Sequence, residues 1–180
     1  MEALLAAELP AGEGWQYEPK WDGFRCLAKR DDDEITLTSK SGKPLARYFP
    51  EVVAMLAKTR ERFLLDGELI IPVGDVLSFE ALQLRLHPAE SRIRKLSIAT
   101  PAEYMLFDLL SIGGTSLADD PLERRREALE RFHSKQRVPG LLLSPVTHDC
   151  DAALGWLHRS GGALGRVVPQ ATAQDLRSRG

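Results

Sequence analysis

Residues 63–72, FLLDGELIIP, form an apolar run of the length expected for one buried β-strand, but three residues in its middle interrupt the pattern. These are Asp66, Gly67 and Glu68. Carboxylates inside a buried strand are costly unless they are paired or bound to a cation. We therefore predict that Asp66 and Glu68 have partners in the folded protein.

The segments on either side of this strand predict a mixture of strands and helices. Alternating and β-branched residues in FRCLAKR and ITLTSK predict two antiparallel strands joined by a turn at DDDE. Short strands and helices follow each other irregularly, which favours the α+β class over a doubly wound parallel sheet. The predicted elements are strands near 23–30 and 35–40, a helix over 51–63, a helix over 79–86, a strand over 102–112, a helix over 121–132, a helix over 151–160 and a last strand over 162–168.

Composition sets broad limits on function. The chain has 180 residues, enough for one domain with a sizeable core, and its net charge of −2 gives no general attraction to nucleic acid. Binding to phosphate would therefore need a local basic patch. The arginine triplet Arg124–Arg126 lies in a predicted helix, and such triplets are typical of solvated surface.

Cysteine content and the start of the chain indicate a cellular location. Cys26 and Cys150 are far apart and have no pairing pattern, so we expect neither a disulfide framework nor a zinc site. The segment MEALLAAEL lacks a basic region and is too short for a signal peptide or a membrane span. We therefore expect a cytoplasmic protein.

Two more polar interruptions carry chemical information. The first is residues 20–25, KWDGFR, and the second is Phe107-Asp108. A lysine and an arginine can flank a phosphate, while Gly23 allows the backbone to approach a ligand closely. Trp21 and Phe24 are interpreted as packing residues rather than base-stacking ones. Each interruption, taken singly, also fits a turn, a salt bridge or a strand end.

Taken together and in this order, the motifs resemble the covalent nucleotidyltransferases, which comprise ATP-dependent DNA ligases, RNA ligases and mRNA capping enzymes. The stretch KWDGFR looks like their nucleophile motif, and SKSGKPLARYFPEV, LDGELI and YMLFDLL are similar to the motifs that follow it. ATPAEYMLFDLL followed by SLADDPLERRREALE resembles the bacterial DNA ligase branch. The resemblance implies an α+β, ATP-grasp-like adenylation domain with antiparallel sheets flanked by helices, incomplete at its C-terminus.

The resemblance also implies roles for individual residues. Lys20 would attack the α-phosphorus of ATP to form lysyl-AMP, and AMP would then pass to the 5′-phosphate of nicked double-stranded DNA during repair or recombination. A free lysine has a pKa of about 10.4, so nearby cations are needed to make it neutral. Mg²⁺ would supply such a charge. The remaining implied roles are Glu18 at the adenine edge, Arg25 at the ribose, Glu68 at the ribose or the metal, Phe107 stacked on adenine, and Lys40 on DNA or a phosphate.

The domain boundaries follow from the extent of the resemblance. We expect a leader over 1–14, an adenylation domain over 15–168, a divergent tail over 169–180, and no OB-fold domain. The family continues with a Glu-Gly-Val-Val-x-Lys strand, but here Gly165 and Gln170 stand at the two charged positions. Losing one such electrostatic contact costs about 10²–10³ in rate, so we expect impaired activity. We also expect the last strand to pack poorly, because Pro169 cannot donate a ladder hydrogen bond.

Several readings of the chain stay open at this point. A truncated gene could leave a crippled enzyme, or a second polypeptide could supply the missing motifs. The chain could also be an inactive remnant that binds nucleotide or nicked DNA, or the adenylation domain of an RNA ligase or capping-type enzyme. A structural domain would reduce the polar interruptions to salt bridges but would leave their order unexplained.

Overall fold

The computed structural model describes residues 9–10, 15–159 and 167–171. The helices are α1 (Pro50–Leu56), α2 (Phe79–Arg85), α3 (Glu90–Ala99), α4 (Leu122–Gln136) and α5 (Cys150–Arg159), with a 3₁₀ turn at Ala46–Tyr48. The strands are β1 (Trp15–Pro19), β2 (Phe24–Asp31), β3 (Glu34–Ser39), β4 (Phe63–Ile70), β5 (Pro72–Val73), β6 (Val76–Leu77), β7 (Glu103–Ile112), β8 (Thr115–Ser116), β9 (Leu141–Leu143) and β10 (Val167–Ala171).

Within these residues the main sheet has six strands, in the order β3-β2-β4-β7-β8, with β9 also paired to β7. All pairs are antiparallel except β7 with β9, which is parallel. The predicted buried strand, β4, therefore lies at the centre with β2 and β7 on its two sides. The α+β class and the flanked antiparallel sheet are confirmed.

Strand register separates a core face from a polar face. Because side chains alternate along a strand, Cys26 and Ala28 share one face of β2 with their partners in β4 and pack in the hydrophobic core. Arg25 lies directly opposite Glu68 on the other face, and Asp66 lies two residues away on that same face. The polar interruptions of the sequence thus collect on one side of the sheet.

Gly67 is required by the packing of its neighbour in β7. A Cβ atom at this position would lie 2.5 Å from the carbonyl oxygen of Met105 and 2.7 Å from the ring of Tyr104. The Tyr104 hydroxyl donates to the carbonyl oxygens of Cys26, at 2.7 Å, and Leu65, at 3.3 Å. The tyrosine ring therefore fills the space that a larger residue at 67 would need.

Helix α1 is shorter than predicted, ending at Leu56 rather than near residue 63. The Thr59 hydroxyl donates to the carbonyl oxygen of Leu56 at 2.6 Å. Arg30 from β2 donates to the carbonyl oxygens of Leu56, Ala57 and Thr59. A cation at this end is favourable because the last carbonyls of a helix carry partial negative charge, so a residue distant in sequence caps the helix.

The expectation that the last strand packs poorly is wrong for residues 167–171. Strand β10 pairs antiparallel with β1 over five positions, with Pro169 opposite Tyr17. Tyr17 exchanges both backbone hydrogen bonds with Thr147, at 2.8 and 3.0 Å, on its other side. Tyr17 and Pro169 therefore form a non-hydrogen-bonded pair, and the absent N–H of proline costs no ladder bond there.

The expectation of a fully solvated arginine triplet in α4 is also wrong. The side chain of Arg124 is 72% exposed, but that of Arg125 is only 14% exposed and that of Arg126 only 9%. Arg125 makes two hydrogen bonds to the Asp108 carboxylate, at 2.9 and 3.1 Å, and a third to the carbonyl oxygen of Asp120 at 2.8 Å. The helix is thus attached to β7 by a buried ion pair.

Some elements were not predicted, namely α3, β1, β8, β9, the 3₁₀ turn and the short β5–β6 hairpin. The predicted last strand over 162–168 lies mostly outside the described residues, as do most of the predicted leader and tail. Strand β10 crosses the predicted boundary at 168. No helix in the part of the chain that the structure describes is long and apolar enough to cross a membrane.

The adjacent arginines of α4 allow a matched test of this packing. Arg125→Met should lower the free energy of unfolding by about 3–5 kcal/mol, because it leaves the buried Asp108 carboxylate without its cation. Arg124→Met should change it by less than about 1 kcal/mol, because Arg124 is exposed and 3.9 Å from Asp120. Urea unfolding followed by circular dichroism measures both values, and equal effects would contradict the buried pair.

Candidate active site

The loop between β1 and β2 carries Lys20 at the edge of the polar face. Lys20 is exposed, and Gly23 closes the loop tightly against β4: a Cβ atom there would lie 2.3 Å from the carbonyl oxygen of Leu69. Only glycine allows so close an approach of the loop to the strand. The indole Nε1–H of Trp21 donates to the hydroxyl of Ser144 at 3.0 Å, so Trp21 is anchored by a polar contact.

Glu68 faces this loop from the centre of β4. Burial raises the pKa of the Glu68 carboxyl to about 7, while the charge of Lys20, a hydrogen bond from the Gly23 N–H and the charge of Arg25 act to lower it. Asp66 raises it further. The fold therefore brings Lys20 into electrostatic contact with a desolvated carboxylate from a strand more than forty residues away in sequence.

Arg25 is the partner of Asp66, so the prediction that the buried Asp66 carboxylate is paired is confirmed. Its Nε and Nη2 atoms donate to the two Asp66 oxygens at 3.1 and 2.7 Å, which is the bidentate geometry that arginine forms with carboxylates. The guanidinium carbon also lies 5.5 Å from the centre of the Phe107 ring. Arg25 thus joins β2, β4 and β7 in one arrangement of charge and aromatic surface.

Phe107 owes its position to a β-bulge. In the pairing of β4 with β7, Asp66 lies opposite Asp108 and Gly67 opposite Leu106, so Phe107 is the extra residue between them. A bulge redirects the side chain that it carries and is common beside active sites. The half-buried Phe107 ring is therefore placed next to Arg25 rather than in the regular alternation of β7.

Glu18 lies at the centre of a polar cluster on the β1–β10 ribbon. Its side chain is only 3% exposed, and its Oε1 atom accepts hydrogen bonds from the amides of Gln16, at 3.1 Å, and Gln170, at 3.3 Å. Burial raises the pKa of Glu18 to about 7, against the lowering effects of Arg126, Gln16 and Ser144, while Asp108 raises it. Gln170, which stands where the family pattern has lysine, thus gives the carboxylate a neutral partner.

Lys40 lies in the tight turn after β3, and it is exposed. A cavity of about 920 Å³ beside this turn is lined by Arg25, Lys40 and Lys43 together with the aromatic ring of Tyr48 and other residues. Two of the predicted site residues, Arg25 and Lys40, therefore line the same cavity. The cationic side chains of this lining have the chemistry needed to accept a phosphate group. They form the kind of local basic patch that phosphate binding needs in a chain whose net charge is slightly negative.

The predicted site residues thus fall into connected groups. The loop between β1 and β2 carries Lys20, and Glu68 and Arg25 lie beside this loop. Phe107 lies beside Arg25, and Lys40 lines the same cavity as Arg25. Glu18 lies apart from them, in a buried polar cluster. Sequence reasoning missed the polar partners Gln16, Ser144 and Gln170. Ser144 ends the apolar run LLL, and this change from apolar to polar residues was the one signal that could have found it.

No group of three or more histidine, cysteine, aspartate or glutamate side chains converges on a metal site in the described ranges 9–10, 15–159 and 167–171. A magnesium ion bound here would therefore take most of its ligands from phosphate oxygens and water, which is its usual preference at nucleotide sites. The desolvated Glu68 carboxylate fits such an ion, because a nearby cation favours its charged form.

A comparison with protein families identifies this arrangement. The family model described as the ATP dependent DNA ligase domain matches residues 6–162. The chain belongs to this family. The predicted resemblance to ATP-dependent DNA ligases is thereby confirmed, including the preference for DNA ligases over RNA ligases and capping enzymes.

Similar ligases are found in mycobacteria. The chain is 45% identical over 151 residues to DNA ligase C2 of Mycolicibacterium smegmatis, an alignment covering 83% of this chain and 42% of that protein. It is 43% identical over 151 residues to DNA ligase C of Mycobacterium tuberculosis, covering 82% of this chain and 42% of that protein. The chain thus spans less than half the length of these curated relatives.

Solved ligase structures share the fold. The ligase domain of LigD from M. tuberculosis matches with a TM-score of 0.70 and 26% identity, over 88% of this chain and 48% of that chain. A mycobacterial DNA ligase D complexed with ATP and MES matches with a TM-score of 0.67 and 25% identity, with the same coverage. These matches confirm the nucleotidyltransferase fold expected for the ligase domain.

The buried Glu18 makes stability depend on pH. Because its folded-state pKa of about 7 lies above its ordinary value, its protonated form stabilises the fold at low pH, and this contribution is lost as pH rises through about 7. Glu18→Gln removes the titration. Its free energy of unfolding relative to wild type should therefore rise by about 2 kcal/mol from pH 5 to pH 8.

Urea unfolding at several pH values measures this difference. Glu34→Gln, at the exposed start of β3, is the matched control, because it removes a carboxyl that is not buried. A flat profile for Glu18→Gln would contradict the buried, raised-pKa carboxyl.

Proposed function

We propose that this DNA ligase domain transfers AMP from ATP to Lys20, forming lysyl-AMP as the first step of nick sealing. The observation that carries the proposal is the strand register, which gathers three separate motifs around one loop. Arg25 lies opposite Glu68, Phe107 bulges toward Arg25, and the Lys20 loop closes on Glu68 through Gly23. This arrangement suits the binding and reaction of a nucleotide, because it combines a nucleophile, a desolvated carboxylate, a guanidinium and an aromatic ring.

The proposed reaction is a displacement at phosphorus. The neutral Nζ of Lys20 attacks the α-phosphorus, a P–N bond forms, and the P–O bond to the β-phosphate breaks so that pyrophosphate leaves. Lys20 must lose one proton before the attack, because an ammonium has no lone pair for nucleophilic attack. As the P–N bond forms, the nitrogen loses a second proton to water, so the products are lysyl-AMP, pyrophosphate and a proton.

The remaining residues would bind and orient the nucleotide. Glu18, inside its amide cluster, would accept a hydrogen bond from the adenine edge, and Phe107 would stack against the base. Arg25 would contact the ribose, and Lys40, across the shared cavity, would contact a phosphate of ATP or DNA. Arg25 is already oriented by Asp66, so little side-chain entropy is lost when a ligand binds.

Magnesium is part of the proposal, with Glu68 as its protein ligand. Bound there, the ion would neutralise the negative charge of the phosphate oxygens. Glu68 would hold the ion through its carboxylate, because the positive charge of the ion favours the ionised form of Glu68. The Gly23 N–H fixes the orientation of this carboxylate relative to the loop.

Later steps are proposed for the longer protein or assembly. AMP would pass from Lys20 to the 5′-phosphate of nicked double-stranded DNA in the cytoplasm, in repair or recombination. The chain spans 42% of the mycobacterial ligase C proteins, so the charges absent at Gly165 and Gln170 would have to come from a second polypeptide or further sequence.

A second candidate function is nucleotide or nicked-DNA binding without turnover. The buried amide of Gln170 favours it, since an amide at the lysine position supplies no charge to the transition state. In that case the pocket would hold ATP, but Lys20 would not become modified. The two functions differ in whether a covalent bond forms.

Labelling of the protein separates these functions. Incubated with Mg²⁺ and ATP labelled at the α-phosphate, wild type should acquire covalent label that resists denaturation, and Lys20→Ala should acquire none. Lys29→Ala is the matched control, because Lys29 is an exposed lysine that pairs with Asp31 at 3.0 Å. It should label like wild type, and chelation of Mg²⁺ should abolish labelling in both.

Absence of label on wild type would overturn the enzymatic proposal. Fluorescence anisotropy with a nicked duplex and with labelled ATP would then test the binding function. Loss of ATP binding in Arg25→Ala, with Arg124→Ala unaffected, would support it, while failure of wild type to bind either ligand would exclude it.

A further inference from the structure

Ser144 lies between the loop that carries Lys20 and the buried polar cluster around Glu18. It directly follows β9, it is fully buried, and its backbone N–H donates to the carbonyl oxygen of Leu106 in β7 at 2.8 Å. The strand pairing of β9 with β7 therefore fixes the backbone from which its hydroxyl projects.

The hydroxyl of Ser144 connects two groups that belong to different strands. It accepts the hydrogen bond from Trp21 Nε1 at 3.0 Å, and it is hydrogen-bonded to the carboxylate of Glu18. An indole can only donate and an ionised carboxylate can only accept, whereas a hydroxyl can do both. The three side chains thus form a directed chain, in which Trp21 donates to Ser144 and Ser144 donates to Glu18.

We propose that Ser144 is a positioning residue that couples the Lys20 loop to the carboxylate of Glu18. The inference rests on the proposed adenylation of Lys20 and adds a residue that none of the sequence motifs contains. Ser144 acts through Trp21 and Glu18 rather than by touching the reacting atoms.

The physical effect at the loop is orientation. Lys20 is exposed and has a long flexible side chain, so its Nζ depends on the backbone for its starting position. That backbone is held on one side by the Trp21 indole bound to Ser144 and on the other by Gly23 bound to Glu68. Releasing one anchor should reduce the fraction of molecules in which the nucleophile is aligned with phosphorus.

The physical effect at Glu18 is electrostatic. The groups acting on its carboxyl are the amide of Gln16 and the hydroxyl of Ser144, the guanidinium of Arg126 from α4, and the carboxylate of Asp108 from β7, besides Gln170 from β10. Burial and Asp108 raise the pKa of Glu18, whereas Arg126, Gln16 and Ser144 lower it. Loss of the Ser144 hydrogen bond should therefore raise this pKa above about 7 and delay ionisation.

The test measures single-turnover labelling of Lys20 from pH 6 to pH 9 in wild type, in three single variants and in the double variant of Ser144→Ala with Trp21→Phe. Ser144→Ala should lower the maximal rate about tenfold, the scale of one lost hydrogen bond to a charged group, and should move the acid side of the profile to higher pH. Trp21→Phe should lower the rate without moving that side of the profile, because it releases only the loop. Ser144→Thr keeps the hydroxyl and should restore both the rate and the profile.

The outcomes separate coupling from simple packing. If Ser144→Ala slows labelling by the same factor at every pH, or if Ser144→Thr is as slow as Ser144→Ala, the proposal is overturned. Additive effects of Ser144→Ala and Trp21→Phe in the double variant would also overturn it, because residues in one hydrogen-bonded chain should be non-additive.

A readout without catalysis distinguishes failure of this proposal from failure of the proposed function. With Trp15→Phe and Trp156→Phe, Trp21 becomes the remaining tryptophan. Its emission should titrate with a midpoint near pH 7, the pKa of Glu18, and Ser144→Ala should abolish or shift this titration. If wild type is not labelled but this titration is present, the coupling is supported and the proposed adenylation is contradicted. If Ser144→Ala leaves the titration unchanged, the coupling itself is contradicted.

Discussion

Two buried carboxylates, Asp66 and Asp108, lie directly opposite each other on adjacent strands, and the rest of the structure is arranged so that each has its own guanidinium. Arg25 binds Asp66 through two hydrogen bonds, and Arg125 binds Asp108 in the same way. Buried charges of like sign at such a distance repel strongly unless each is neutralised by a partner. This requirement attaches β2 to β4 and α4 to β7, so one electrostatic constraint sets the positions of the site strands and of the helix that covers them.

The same constraint prepares the polar face for a ligand. Because Arg25 is held by Asp66, its guanidinium stays beside Phe107, whose ring is turned toward it by the bulge in β7. Because Gly67 makes room for Tyr104 on the core face, Glu68 can occupy the opposite face next to the Lys20 loop. Arg25 and Phe107 are therefore already oriented in the folded protein, so a ligand on this face would require little reorganisation of these two side chains.

Where prediction from sequence succeeded or failed depends on the range of the interactions. The strand around Asp66 and its need for a partner follow from local apolar pattern and the cost of buried charge. The burial of Arg125 beside the exposed Arg124 depends on which side of α4 meets the sheet, and charge composition does not reveal that side. Pro169 seemed unfavourable in a strand, but its effect depends on whether its pair with Tyr17 is a hydrogen-bonded one, and that is a property of register.

The sequence by itself determined the family and the α+β class, and it predicts Lys20 as the nucleophile, because these depend on short motifs and their order along the chain. Only the tertiary structure decided what surrounds Glu18. Its partners Gln16, Ser144 and Gln170 come from β1, from the end of β9 and from β10, and the residue pair Glu18 and Gln170 is separated by 152 positions. Contacts of that separation arise from strand pairing and its register, and no local pattern of residues encodes them.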